Sequence, residues 1–138
     1  MAYEEITALL GGWPGFAIAA VTREPGGTAT GAPRVTIELA ALPNARRYCG
    51  RCGRAAAAVH DVSVRRVREL PILDAETWLL VPLARVACAG CGPTVEALPW
   101  LGRYARVTRR FAESVARLGR HPPEVREIET DAGDFQNT

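Results

Sequence analysis

The chain has no lysine. All 17 of its basic residues are arginines, so every basic contact it makes is a planar, multi-donor fork rather than a point charge. A GC-rich coding bias accounts for that choice in the first instance. Serine occurs only at Ser63 and Ser114, and histidine only at His60 and His121. Neither serine sits in a nucleophile motif, and Asp61, Asp74, Asp131 and Asp134 show no metal-binding pattern. No glycine-rich loop of phosphate-binding type occurs; the glycines stand beside prolines or cysteines. A catalytic set is therefore missing, and the expectation is a protein that is not an enzyme.

Long apolar runs are also missing. Residues 6–21 are uncharged and include Ala17-Ile18-Ala19, but Glu4 and Glu5 precede them and Gly11-Gly12-Trp13-Pro14-Gly15 breaks them. That excludes a membrane span and argues against an export signal, so the expected location is the cytoplasm. Aromatics make up only 7% of the 138 residues. One domain or two small ones can bury a core from this composition, but a thin one that a metal staple would help.

Four cysteines form two pairs, Cys49-Gly50-Arg51-Cys52-Gly53 and Cys88-Ala89-Gly90-Cys91-Gly92. Each C-x-x-C turn aims two soft sulfurs at one point, and two such turns supply the tetrahedral tetrathiolate of a structural zinc site. The glycine after each pair provides left-handed or close-packed backbone. A redox dithiol needs its pair at the start of a helix in a βαβ setting, which neither has; an iron–sulfur cluster is the other alternative. One structural Zn²⁺ per chain, on Cys49, Cys52, Cys88 and Cys91, is the reading. Four thiolates already suffice, so His60 is expected as a packed or neighbouring group, and His121 as exposed.

The net charge of +2 conceals an asymmetry. Residues 46–120 hold fourteen arginines and six acids, between flanks in which acids outnumber arginines. A basic module favours a polyanion. Arg46, Arg47, Arg51, Arg54, Arg65, Arg66, Arg68, Arg109 and Arg110 are the candidate DNA contacts. Trp100 and Tyr104, beside Arg103 and Arg106, resemble a basic-aromatic patch, although packing under a helix is the favoured reading for both rings.

Four segments are expected. Residues 1–45 hold a short helical turn (3–10) and a β-hairpin, with strands at Phe16 to Thr22 and Arg34 to Ala41. In the second, Val35, Ile37 and Leu39 alternate with polar residues. Residues 46–95 form a zinc ribbon whose strands are Val59 to Leu70 and Thr77 to Ala87. The latter is apolar on both faces and so interior, with Pro82 demoting part of it to an edge or bulge. The chain is expected to be irregular after Cys91; residues 96–120 are a connector and a helix, the start of a helix-turn-helix-like region, capped by Thr108, with Phe111, Val115 and Leu118 on one face. Residues 121–138 are an acidic, disordered tail. The fold class is α+β: an N-terminal β-hairpin, a tetracysteine zinc ribbon, then a C-terminal α-helix.

These residues resemble the N-terminal zinc ribbon of insertion-sequence transposases of the ISL-three family, from about Leu9 to Gly119. The carriers are Arg46-Arg47-Tyr48-Cys49-Gly50-Arg51-Cys52-Gly53, His60-Asp61 followed by Arg65-Arg66-Val67-Arg68-Glu69-Leu70-Pro71, Arg85-Val86-Ala87-Cys88-Ala89-Gly90-Cys91-Gly92, and Thr108-Arg109-Arg110-Phe111. In that family a helix-turn-helix and a ribonuclease-H-like catalytic domain follow. The resemblance implies a DNA-binding head truncated before the catalytic acids. It would recognise the double-stranded ends of an insertion element without cutting them, as a competitor or repressor of a full-length transposase. The alternative function is a protein-interaction module, docking a partner or forming a homodimer, for instance by strand pairing around Trp78 to Val81.

Overall fold

The computed structural model describes residues 12–26 and 28–118. The expected turn at 3–10 and the tail at 121–138 lie outside the described residues.

Strands β1 (Phe16–Glu24) and β2 (Arg34–Ala41) form the antiparallel hairpin expected from their patterning, running from Phe16 opposite Ala41 to Glu24 opposite Arg34. Phe16, Ile18, Ile37 and Leu39 are buried. The residues between them face solvent, as the period of a half-buried strand requires. Strands β3 (Val59–Ile72) and β4 (Ala75–Cys88) make a second, longer antiparallel hairpin, and this one joins the two cysteine turns. Its tip is held at Thr77, whose hydroxyl donates to the Ala75 carbonyl and accepts the Ile72 N–H.

The two hairpins form one sheet. β2 pairs in parallel with β4, from Arg34 opposite Glu76 to Glu38 opposite Leu80, giving the order β1-β2-β4-β3. A fifth strand, β5 (Gly92–Val95), pairs antiparallel with the far end of β4. This corrects the expectation of irregular chain directly after Cys91. The strand is four residues long and contains a proline, so it carried no periodic signal.

β4 is interior, as its two apolar faces imply, and this overturns the idea of pairing between chains through Trp78 to Val81. Trp78, Leu79 and Val81 are buried, with β2 on one edge of that stretch and β3 on the other. Pro82 follows the same logic. Ala84 directs its backbone away from β3, toward Glu96, and strand alternation points the Pro82 nitrogen the same way. There the β2 pairing has ended at Leu80 and the β5 pairing has not begun until Arg85. The missing N–H falls where no ladder needs it.

The core lies on one face of this sheet. Trp13, Phe16, Ile18, Ile37, Leu39, Val67, Leu79, Val81, Leu83 and Leu101 form one cluster. Trp100 joins it, edge-on to Phe16 at 5.6 Å, and its Nε1 donates to the Pro14 carbonyl. Helix α1 (Arg109–Leu118) begins at Thr108, whose Oγ1 accepts the Phe111 N–H, the expected N-cap. It leans on β3 without fully burying any residue: Phe111 and Val115 are half-buried and Leu118 is exposed. Glu69 fixes its start. This buried carboxylate accepts Trp13 Nε1 (2.8 Å), Thr108 Oγ1 (2.7 Å), and Arg110 Nη2 and Nε (2.8 and 3.0 Å). Burial alone would raise its pKa; the donors from Arg110, Thr108, the Leu70 N–H and Trp13 outweigh that and hold it below the ordinary glutamate value.

Candidate functional site

The hairpin β3-β4 and the short strand β5 bring both cysteine turns to one end of the sheet. The Sγ atoms of Cys49, Cys52, Cys88 and Cys91 all lie within 4.8 Å of one another, and Cys52 and Cys88 are 3.6 Å apart. A tetrahedral zinc with Zn–S bonds of about 2.3 Å requires sulfurs roughly 3.8 Å apart. The cluster therefore has the size of a four-thiolate site. No fifth metal-ligating side chain joins it among the described residues; His60 is exposed on β3 and outside it.

Local backbone explains how the first turn reaches this geometry. Cys49 N–H donates to the Arg54 carbonyl and Gly53 N–H to the Cys49 carbonyl, closing the loop on itself. Gly53 (φ 79°) and Gly92 (φ 75°), each following the second cysteine of its pair, adopt the left-handed conformation expected of them. Gly50 is constrained differently. Its N–H donates to the Val95 carbonyl, and a Cβ on Gly50 would stand 2.2 Å from that same oxygen. Only glycine lets the first turn lie against β5.

The sulfurs are prepared for a cation. Cys49 is buried, and its Sγ meets the Thr94 hydroxyl at 3.0 Å and the Arg51 N–H at 3.3 Å. The Thr94 hydroxyl, then backbone N–H donors, bring its thiol pKa down to about 5. Backbone N–H groups of Gly90 and Cys91 lower Cys88 in the same way. Cys91 is pushed up to about 12, first by desolvation and then by its neighbouring thiols. Thiolates stabilised beside a thiol that resists ionisation are what a dicationic centre resolves. The residues fit zinc, and four sulfurs leave no open position for water chemistry, so the metal's role is to hold the fold.

The candidate arginines do not form one surface. Strand alternation sends Arg65 and Arg66 to opposite faces. Arg66 lies over Trp78, 3.7 Å from the ring centroid, while Arg65 sits on the core side and donates to the Ala105 carbonyl at 3.2 Å. Arg68, expected as a DNA contact, is buried and ion-paired with Glu76 at 3.4 Å, and its guanidinium packs over Trp78 and Phe111. Arg110 is likewise held by Glu69. Arg47 is half-buried, 3.9 Å from the buried Glu96 carboxylate. That carboxylate caps the Ala84 N–H, and burial raises its pKa. Arg46, Arg51, Arg54 and Arg109 are exposed, with Arg54 over the second turn near Gly90.

A different grouping emerges around a cleft of about 130 Å³ between the first cysteine turn and the chain leading into α1. Arg65, Arg103 and Arg109 line it together with Gly50 and Tyr104, over an apolar floor that includes Leu101. Arg103 Nη1 donates to the Gly50 carbonyl at 3.3 Å, and its guanidinium lies 4.9 Å from the Tyr104 ring centroid. Tyr104 itself is 71% exposed, on backbone with φ 63°. The basic-aromatic patch thus divides: Trp100 packs into the core, whereas Tyr104 does not.

Comparison with known proteins bears on the cysteine site. Residues 45–91 match the family described as the zinc-finger of transposase IS204/IS1001/IS1096/IS1165. The chain is 40% identical over 113 residues to the transposase for insertion sequence element IS1001 of Bordetella parapertussis, a match covering 79% of this chain and 26% of the relative. It is also 40% identical over 73 residues to the transposase for insertion sequence element IS1557 of Mycobacterium tuberculosis, covering 52% of this chain and 16% of that protein. The chain therefore spans about a quarter or less of the length of these relatives. No solved structure matches it.

Proposed function

From residues 45–91 as the zinc ribbon of an insertion-sequence transposase, we infer that this chain binds double-stranded DNA and reads the ends of an insertion element. The observation that carries the reading is the cleft in which Arg65, Arg103 and Arg109 surround one opening beside an exposed tyrosine. Three arginines lining one cleft, beside a single acid, Glu96, that the Ala84 N–H and Arg47 already engage, suit phosphate oxygens, which arginine binds through paired N–H donors. Arg103 is tied to the Gly50 carbonyl inside the first cysteine turn, so zinc binding and the placement of this arginine are coupled. Arg51, exposed in the first cysteine turn, extends the positive surface. The role is recognition: among the described residues the only metal-ligating cluster is the cysteine site, which has no open position.

Fluorescence anisotropy with a labelled duplex carrying insertion-element terminal repeats, titrated across salt concentrations, tests this. Each phosphate contact removed should flatten the slope of log K against log salt by about 0.9. The double variant Arg103→Ala/Arg109→Ala should therefore lose up to about 1.8 of slope, while Arg23→Ala, on the remote strand β1, should leave it unchanged. Equal slopes for the double variant and the wild type would remove the cleft from the interface. Equal affinity for terminal-repeat and scrambled duplexes would remove the end-reading role.

A further inference from the structure

The outer edge of β3 has no strand partner from Val59 to Arg66 among the described residues. Only its continuation is covered: Arg68 N–H donates to the Arg106 carbonyl, and the Thr108 N–H donates to the Arg68 carbonyl. Arg68 thus directs its backbone outward. By strand alternation Arg66, Val64 and Val62 do the same, while Asp61, Ser63 and Arg65 bond inward to β4. On this open edge Val62 is 56% exposed and Val64 66% exposed. Single exposed valines are ordinary, but two on consecutive outward positions of an unpaired strand are a template for another strand.

The sequence of the edge selects its occupant. Around Ser63 it reads Asp61-Val62-Ser63-Val64-Arg65, which is complementary to itself in the antiparallel sense. Two copies aligned at Ser63 place Val62 opposite Val64, and both residues present outward backbone groups, so they exchange N–H···O bonds. The same register places Asp61 opposite Arg65 twice, at the non-hydrogen-bonded positions where side chains approach most closely. Sliding by two residues in one direction sets Asp61 against Ser63. In the other direction Asp61 meets the buried Val67. Either slip forfeits both ion pairs. Asp61 already accepts from Arg85 Nε at 2.9 Å, and a carboxylate has lone pairs for a further donor. Arg65 uses one N–H on the Ala105 carbonyl and keeps others.

We propose that the chain forms a two-fold dimer by antiparallel pairing of the β3 edges, centred on Ser63 and keyed by Asp61 of each copy to Arg65 of the other. The dimer rests on the strand edge and shares Arg65 with the cleft, so it is measured without DNA, and Asp61→Arg, which lies outside the cleft lining, tests it separately from the DNA reading.

Sedimentation of the full, zinc-loaded chain tests it. Wild type should sediment at twice the 14.9 kDa chain mass. Asp61→Arg alone and Arg65→Asp alone should each weaken the dimer at least about tenfold, since each sets like charges opposite one another twice. An equimolar mixture of the two variants should recover the dimer, because both cross-strand pairs are then opposite in sign. Circular dichroism and one zinc per chain establish that each variant is folded. The proposal fails if folded Asp61→Arg remains as dimeric as wild type, or if mixing restores nothing. It also fails if wild type is monomeric, and slow hydrogen exchange at Val62 and Val64 would then mean that residues 1–11 or 119–138 of the same chain cover the edge.

Discussion

Replacing Glu69 by alanine would remove the anion on which two separate stretches of chain converge. Trp13 comes from before β1, while Thr108 and Arg110 come from the helix start, and all donate to a carboxylate that is 2% exposed. Truncation leaves the indole N–H, the hydroxyl and the guanidinium without their acceptor in a site largely closed to water. Breaking a buried ion pair on one side costs about 3–5 kcal/mol. The neutral donors are partly relieved by water entering the space, so a loss of about 4 kcal/mol is expected. At roughly 3–4 °C per kcal/mol for a chain of this size, the melting midpoint should fall by about 12–16 °C. Urea unfolding at saturating zinc measures the loss directly. Glu69→Gln preserves shape and part of the hydrogen bonding, so it should fall between the two. The acid limb supplies an independent check. The folded pKa of Glu69 lies below its ordinary value, so its stabilisation is complete above the unfolded-state value of about 4.3 and is lost as pH falls through the folded one. Zinc loss in acid affects wild type and Glu69→Gln alike, and the gap between them isolates the carboxylate: wide at pH 7, closing below about pH 4. A loss under about 1 kcal/mol for Glu69→Ala would refute the reasoning, because so small a value means that the donors find other partners.

Gly50→Ala should destabilise the chain by about 3 kcal/mol and weaken zinc retention, since the new Cβ would have to displace the Val95 carbonyl from 2.2 Å; competition with a chromogenic chelator reads the retention. Ala at Gly31, which has left-handed backbone but open space around it, should cost only the conformational strain of about 1 kcal/mol. Cys88→Ala should abolish stoichiometric zinc and unfold the β3-β4-β5 end, seen as lost amide dispersion in NMR; bound zinc near one per chain in that variant would contradict a four-thiolate site. Thr94→Val removes the hydroxyl that does most to support the Cys49 thiolate, so the apo protein's Cys49 should titrate above about 5, toward an ordinary thiol, followed by thiolate absorbance in the ultraviolet.

Short-range features of this protein were legible in its residues. Cysteine spacing named the ligands, and the glycine after each pair marked the backbone that turns left-handed at Gly53 and Gly92. Alternation located β2, apolar and β-branched runs located β1, β3 and β4, and Thr108 marked the helix start. These depend on geometry within a few residues, which composition and period encode. Pro82 belongs partly here, because its missing N–H required a gap in pairing, although only the endings of β2 and β5 show where that gap lies. Period-two alternation likewise separates Arg65 from Arg66, but reading them as a charged pair concealed it. What the tertiary structure alone decided was non-local. The parallel pairing of β2 with β4 joins stretches some forty residues apart and has no sequence period of its own. β5 is a strand because β4 offers it an edge. Arg68 and Arg110 carry the same side chain as Arg103 and Arg109, yet Glu76 and the buried Glu69 engage the first two, while the others line the cleft. An arginine's charge is set by its chemistry, but whether that charge is spent inside the fold depends on which acid the folded chain brings beside it.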